Sequence, residues 1–153
     1  MLSTRNRSFG NILGHVEGVD DLSSIVKWAD GQFDPGLSWD YVKWIRKLWK
    51  GPLILKGILD EDDIKIANEL DIQAIIISNH GGRQLDGTIS SIMALKNVIN
   101  DVSTNLEVFF DGGIRSGKDI VKALALGASG VFMGRPYLYG LGAMGQQGVE
   151  KVI

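Results

Sequence analysis

Four short apolar runs constrain this 153-residue chain more than any other feature. Each closes on glycine or polar residues, and a helical stretch separates each from the next. The runs are Leu53-Ile54-Leu55, ending at Lys56-Gly57; Ala74-Ile75-Ile76-Ile77, ending in Ser78-Asn79-His80; Glu107-Val108-Phe109-Phe110, ending in Asp111-Gly112-Gly113; and Gly130-Val131-Phe132-Met133, ending in Gly134-Arg135. None alternates with polar residues, which is the pattern of parallel strands buried on both faces. Between them, Asp60 caps a helix with an acidic first turn, and Ile92, Leu95, Ile99 and Val102 mark an amphipathic helix. Ser116 and Asp119 open another helix in capping-box fashion, closed by Gly127. Upstream, Ser38 caps a helix carrying Val42, Ile45 and Leu48 and stopped by Gly51-Pro52. Residues 1–37 read as a variable connector, mostly loop, with one helical stretch over 20–28 on which Leu22, Ile25 and Trp28 share a face.

The alternation is α/β and leaves two architectures: an open doubly wound sheet or part of a (β/α)₈ barrel. Either gathers its chemistry at the carboxyl ends of parallel strands. A complete barrel takes about 250 residues, so four units are half of one. Both chain ends read as cuts in a larger domain, the second inside a helix without a C-cap.

The residues after the strands are those that bind and react. Lys56 is either a solvated strand-end lysine or a fixed cation beside an anionic cofactor. His80 lies between a buried strand and Gly81-Gly82, which allow close backbone approach. Its neutral imidazole can accept a proton near physiological pH. Arg83, three positions on, can hold a carboxylate through two parallel hydrogen bonds. The pair suits an acid bearing a reactive hydroxyl, although a lone loop histidine is more often incidental. Asp111-Gly112-Gly113 with Arg115, and Gly134-Arg135, are either tight turns with solvated arginines or a phosphate cradle. In barrels that cradle follows the last two strands, which favours a barrel here. The four tryptophans, Trp28, Trp39, Trp44 and Trp49, read as packing residues.

Composition excludes several classes. A net charge of −2 and no Lys/Arg cluster give no nucleic-acid footprint. There is no cysteine, hence neither a disulfide nor a thiolate metal site, and no metal is expected. No apolar stretch approaches the ~20 residues of a membrane span, and residues 1–10 lack a signal-peptide core.

From about Phe33 onward the chain resembles the FMN-dependent 2-hydroxy-acid dehydrogenase and oxidase family, which includes L-lactate dehydrogenases and glycolate oxidases. The resemblance rests on Leu37-Ser38-Trp39, Leu55 to Leu59, the run Ser78-Asn79-His80-Gly81-Gly82-Arg83-Gln84-Leu85-Asp86-Gly87, Asp111 to Arg115, Ala123 to Ala128 and Gly134-Arg135-Pro136. It implies strands 5–8 of a (β/α)₈ barrel over residues 38–153. His80 is then the catalytic base and Arg83 the ligand of the substrate carboxylate. Lys56 and Ser78 contact the FMN ring, while Asp111, Gly112, Gly113, Arg115, Gly134 and Arg135 hold its phosphate. The implied reaction oxidises an L-2-hydroxy acid to the 2-keto acid. Phe33-Asp34-Pro35 and Leu59-Asp60 favour L-lactate.

The resemblance also implies absent parts: four further strands, tyrosines that touch substrate, and an aspartate that pairs with the catalytic histidine. The isolated chain is therefore expected to lack appreciable activity and to associate through open strand edges. The alternative is a half-barrel that binds flavin or phosphate only, or that needs a complementing amino-terminal half. A phosphate-site barrel of nucleotide or isoprenoid chemistry has no need of His80 and Arg83. The parent enzyme is expected to be a cytoplasmic homo-oligomer, with peripheral membrane association left open.

Overall fold

The computed structural model describes residues 9–103 and 105–153. The chain divides into two compact units, Met1–Val42 and Lys43–Ile153. In the first, turns lead to helix α1 (Leu22–Asp30). The Asp21 side chain accepts the N–H of Ser24 at 2.7 Å, and the Ser24 hydroxyl accepts that of Asp21 at 2.9 Å. The Ser24 N–H, then the hydroxyls of Ser23 and Ser24, all donating to the Asp21 carboxylate, pull its pKa down to about 2. The helix runs to Asp30 rather than Trp28, and only Ile25 is buried on it.

Helix α2 (Trp39–Leu48) carries no buried residue. Trp44 is 57% exposed and Trp49 is similarly open, which corrects the expectation that both are packing residues. Their apolar face lies uncovered, although the Trp49 ring N–H donates to the Pro52 carbonyl at 2.8 Å.

The second unit alternates regularly: β1 (Ile54–Ile58), α3 (Glu61–Glu69), β2 (Ala74–Ile77), α4 (Ser91–Val98), β3 (Glu107–Asp111), α5 (Gly117–Ala125), β4 (Gly130–Phe132), then α6 (Arg135–Met144) and α7 (Gln146–Val152). Asp60 caps α3 by accepting the N–H of Asp62 at 2.9 Å. Lys56 lies inside β1 rather than at its end, because the strand continues through a bulge at Gly57 (φ +95°). On α4 the buried side chains are Ser91, Ala94, Leu95 and Val98, so Ser91 faces inward and Ile92 outward, against the sequence reading.

All four strands are parallel and lie in the order β1-β2-β3-β4. A doubly wound sheet reverses its strand order at a switch point. A sequential parallel order is instead that of a (β/α)₈ barrel, and the chain forms a four-strand portion of one.

The register separates the two sheet faces. Leu55, Ile75 and Val108 are partners across the sheet, as are Ile77, Phe110 and Val131. Ile75 and Ile77 on this face are fully buried, and Phe110 is 2% exposed. The other face carries Lys56, Ile76 and Phe109 in register, with Ile54 and Phe132 about half exposed. Burial on both faces, expected from the unbroken apolar runs, thus holds on the first face, while on the other only Ala74 of the described strand residues is buried. Barrel interiors fill by side chains from alternate strands around the whole ring, and four strands supply one side of that packing.

Candidate active site

The carboxyl ends of β1, β2 and β3 bring three polar side chains together on the open face. Ser78 follows Ile77, whose partner is Phe110, so Ser78 stands level with Asp111. The Ser78 hydroxyl donates to the Asp111 carboxylate at 2.6 Å and accepts from Lys56 Nζ at 3.0 Å. It also accepts the N–H of His80 at 3.1 Å. A hydroxyl has one proton and two lone pairs, so Ser78 is saturated and its rotor fixed. Lys56 Nζ lies 3.2 Å from the same Asp111 oxygen. Ser78 is 2% exposed, whereas the Lys56 side chain remains half open to the site.

His80 is held in an unusual backbone state. It has φ +56°, and Gly81 and Gly82 follow at +67° and +72°. Left-handed φ costs an ordinary L-residue roughly 1–2 kcal/mol, so the surroundings must hold this turn. The hydrogen bond from the His80 N–H to Ser78 does so on one side. On the other, the Gly81 N–H donates to Asn79 Oδ1 at 3.0 Å. The His80 ring and Arg83 are exposed above the strand ends, and no carboxylate among the described residues bonds the imidazole.

The remaining residues lie after β3 and β4. Gly112 and Gly113 have φ of +123° and +74°. No atom stands within 4 Å of where a Cβ would project from Gly113 or Gly134, so the backbone there is open to a ligand. On Gly81 a Cβ would come within 2.8 Å of the Arg135 guanidinium, which therefore spans the loops after β2 and β4. Helix α6 begins at Arg135 with no side-chain cap. Helix α5 differs. The Asp119 carboxylate accepts the N–H groups of Arg115 and Ser116 at 3.1 and 3.0 Å and the Ser116 hydroxyl at 3.0 Å. The Arg115 N–H chiefly, then the Ser116 hydroxyl, hold Asp119 below the usual carboxylate range. An anion at this end of the sheet thus meets the guanidinium of Arg115 but not its N–H.

Lys56, His80, Arg83, Asp111, Gly112, Gly113, Arg115, Gly134 and Arg135 all line one cavity of about 160 Å³. Ser78 lines the adjoining cavity of about 390 Å³, which Lys56 and His80 share. The residues singled out in the sequence therefore converge. Sequence reasoning missed Asn79 and Ser91. Asn79 had a signal, since Asn two residues before glycine forms side-chain turns. Ser91 had none. The donors after β3 and β4 suit a phosphorylated anion: Arg115, Arg135, and open glycine backbone where a side chain would intrude. FMN is such a group. Among the described residues, no cluster of three or more His, Asp or Glu could hold a metal ion.

Comparison with known proteins agrees with this geometry. The family described as FMN-dependent dehydrogenase matches residues 3–153. The L-lactate dehydrogenase of Pseudomonas syringae pv. syringae (strain B728a) is 46% identical over 149 residues, covering 97% of this chain and 39% of its own length. That of Caulobacter sp. (strain K31) is 46% identical over 152 residues, again covering 97% and 39%. Among solved structures, mandelate oxidase with (S)-4-hydroxymandelic acid superposes with a TM-score of 0.77 at 43% identity, over 85% of this chain and 36% of the other. The monotopic membrane protein (S)-mandelate dehydrogenase gives 0.78 at 39% identity, over 90% and 36%. The chain thus spans about two-fifths of the length of the curated relatives it matches. With four sequential parallel strands, the converging site and the match over nearly every residue, the chain belongs to the FMN-dependent dehydrogenase family.

Proposed function

We propose that the chain carries the FMN- and substrate-binding half of an enzyme that oxidises an L-2-hydroxy acid, L-lactate first, to the 2-keto acid. The observation that carries this reading is the convergence of His80, Arg83, Lys56 and the glycine-arginine turns on one cavity. The choice of lactate is supported by the relatives named L-lactate dehydrogenase.

FMN, when bound, supplies the acceptor for the two electrons that leave the substrate. The chain's residues do the rest. Arg83 binds the substrate carboxylate in two parallel hydrogen bonds and so fixes which carbon faces the flavin. His80 takes the proton of the 2-hydroxyl, or of Cα. Lys56, pinned by Ser78 and Asp111, places a positive charge on the site floor and stabilises negative charge developing above it. Gly112, Gly113 and Gly134 offer backbone, and Arg115 and Arg135 offer guanidinium groups, to the phosphate.

Residues 38–153 form the barrel half in this reading, and residues 1–37 a connector. In the same reading the whole protein is a cytoplasmic homo-oligomer that is able to associate peripherally with a membrane. The likeness to a monotopic membrane dehydrogenase supports the attachment. No helix among the described residues is long and apolar enough to cross a bilayer.

The test supplies the missing strands. The chain is co-refolded with FMN and the amino-terminal segment of the Pseudomonas syringae relative, and flavin absorbance is followed without oxygen. L-lactate is expected to bleach the flavin and D-lactate not to. Arg83→Lys, which keeps the charge but loses the fork, is expected to lower kcat/KM by about tenfold to a hundredfold. Equal bleaching by both isomers, or no effect of Arg83→Lys, contradicts the proposal.

A further inference from the structure

We propose that Asn79 and Ser91 are positioning residues for His80: together they hold the left-handed turn that carries the base and tie it to the glycine turn after β3. The inference rests on the reading of His80 as the base. Asn79 does its part with three bonds. Its Oδ1 accepts the Gly81 N–H at 3.0 Å, its Nδ2 donates to the Ile89 carbonyl at 3.3 Å, and its own N–H donates to Ser91 Oγ at 3.2 Å. The first closes an Asx turn around His80, and the second anchors that turn to the far end of its own loop.

Ser91 is the strut between loops. It is 4% exposed at the start of α4, where the sequence pattern puts an outward residue. Its Oγ lies 2.7 Å from where a Cβ on Gly112 would sit, so the hydroxyl packs against the Gly112 backbone while it receives the Asn79 N–H. A hydroxyl buried between two site loops and bonded to one is better explained by coupling them than by helix formation, since serine is a poor helix former at a buried position. Neither residue lines the cavity that gathers His80 and Arg83, whereas Asn79 borders the adjoining one and both border a third, of about 490 Å³, with Gly112, Gly113 and Arg135. Their positioning role rests on their bonds to the turn: the Asn79 side chain holds the Gly81 N–H and the Ile89 carbonyl, and the Ser91 hydroxyl holds the Asn79 N–H.

The turn they hold is otherwise disfavoured. His80 is a non-glycine residue at φ +56° with two left-handed glycines after it. Its N–H goes to Ser78 and the next N–H to Asn79. Remove the Asn79 acceptor and the Gly81 N–H loses its partner, the turn relaxes, and the imidazole leaves its place above the strand ends.

Amide exchange and imidazole resonances of the full 153-residue chain test this, with His15 as the internal control. Asn79→Ala is expected to raise exchange at Gly81 by about tenfold or more and to move the His80 ring signal. Protection at Ile75–Ile77 should stay as in the unchanged chain. Asn79→Asp keeps the acceptor for the Gly81 N–H but loses the donor to Ile89, so it is expected to restore protection at Gly81 and to bring the ring signal part of the way back. An unmoved His80 ring in Asn79→Ala, or no rescue by Asn79→Asp, overturns the proposal. Should Asn79→Ala unfold the sheet, Ser91→Ala carries the test. It leaves the Gly81 acceptor in place and should raise exchange at Asn79 by about tenfold, with the ring signal displaced; an unchanged ring overturns the proposal. L-lactate added with FMN separates this from the functional reading. Failure to perturb the His80 ring of the unchanged chain, with the Asn79 pattern intact, sinks the lactate reading and leaves the positioning role standing. Equal perturbation in the unchanged chain and in Asn79→Ala does the reverse.

Discussion

Saturated with FMN and given L-lactate, the 153-residue chain alone is expected to turn over at about 10⁻² s⁻¹ or slower, some thousandfold below the median enzyme rate of about 10 s⁻¹. The reason lies in what the site lacks, not in what it holds. In the proposed reading His80 as base, Arg83 as carboxylate clamp and Lys56 as fixed cation all line one cavity. The His80 ring, however, bonds no carboxylate among the described residues, so the imidazolium formed on proton transfer has no stabilising partner. The face of the sheet below the site is open, with Ile54 and Phe132 half exposed. Water there screens Lys56 and Arg83 and weakens each electrostatic contribution to the transition state. Steady-state assays with an artificial electron acceptor check this, and an ordinary enzyme rate from the isolated chain contradicts it.

The second large effect is on stability and separates the two sheet faces with one residue type. Phe110 and Phe132 are aromatic residues on β3 and β4, on opposite faces. Phe110→Ala is expected to cost about 3–5 kcal/mol, the range for emptying a filled aromatic site in a core. Phe132→Ala is expected to cost about 1 kcal/mol, because it loses little more than its edge-on contact with Phe109. That contact has ring centroids 5.9 Å apart and planes at 66°. Urea unfolding of the two variants measures the difference. Equal losses would mean that the open face is covered in solution, by a second copy or by a rearranged segment. The same comparison in the complemented barrel should raise the cost of Phe132→Ala toward that of Phe110→Ala.

The order of the elements was plain in the sequence because apolar runs and caps coincide. Asp60, Ser116 with Asp119, and Gly127 mark helix ends by chemistry that acts within a few residues. The site was legible for a related reason: parallel strands deliver whatever follows them to one end of the sheet. What failed depended on contacts beyond the local chain. Nothing in Leu55-Lys56-Gly57 announces that Gly57 takes a bulge rather than a turn, so the sequence alone puts Lys56 at a strand end. Ile92 is the more apolar neighbour and its spacing predicts burial, yet the helix register buries Ser91, which meets Asn79 and Gly112. Residues Ala74 to Ile77 are apolar on both sides, and this chain covers one. Their composition suits a sheet covered on both faces, and the relatives extend over a further three-fifths of their length that this chain does not match. Trp44 and Trp49 are likewise large apolar side chains that the sequence pattern alone does not reveal to be more than half exposed.

In the proposed reading the turns after β3 and β4 hold a flavin phosphate. Riboflavin is FMN without that phosphate, so titrating the chain with each and following flavin fluorescence isolates the contribution of Gly112, Gly113, Arg115, Gly134 and Arg135. Charge-assisted contacts to the phosphate predict that FMN binds about tenfold to a hundredfold tighter than riboflavin. Equal affinity for the two flavins would contradict it.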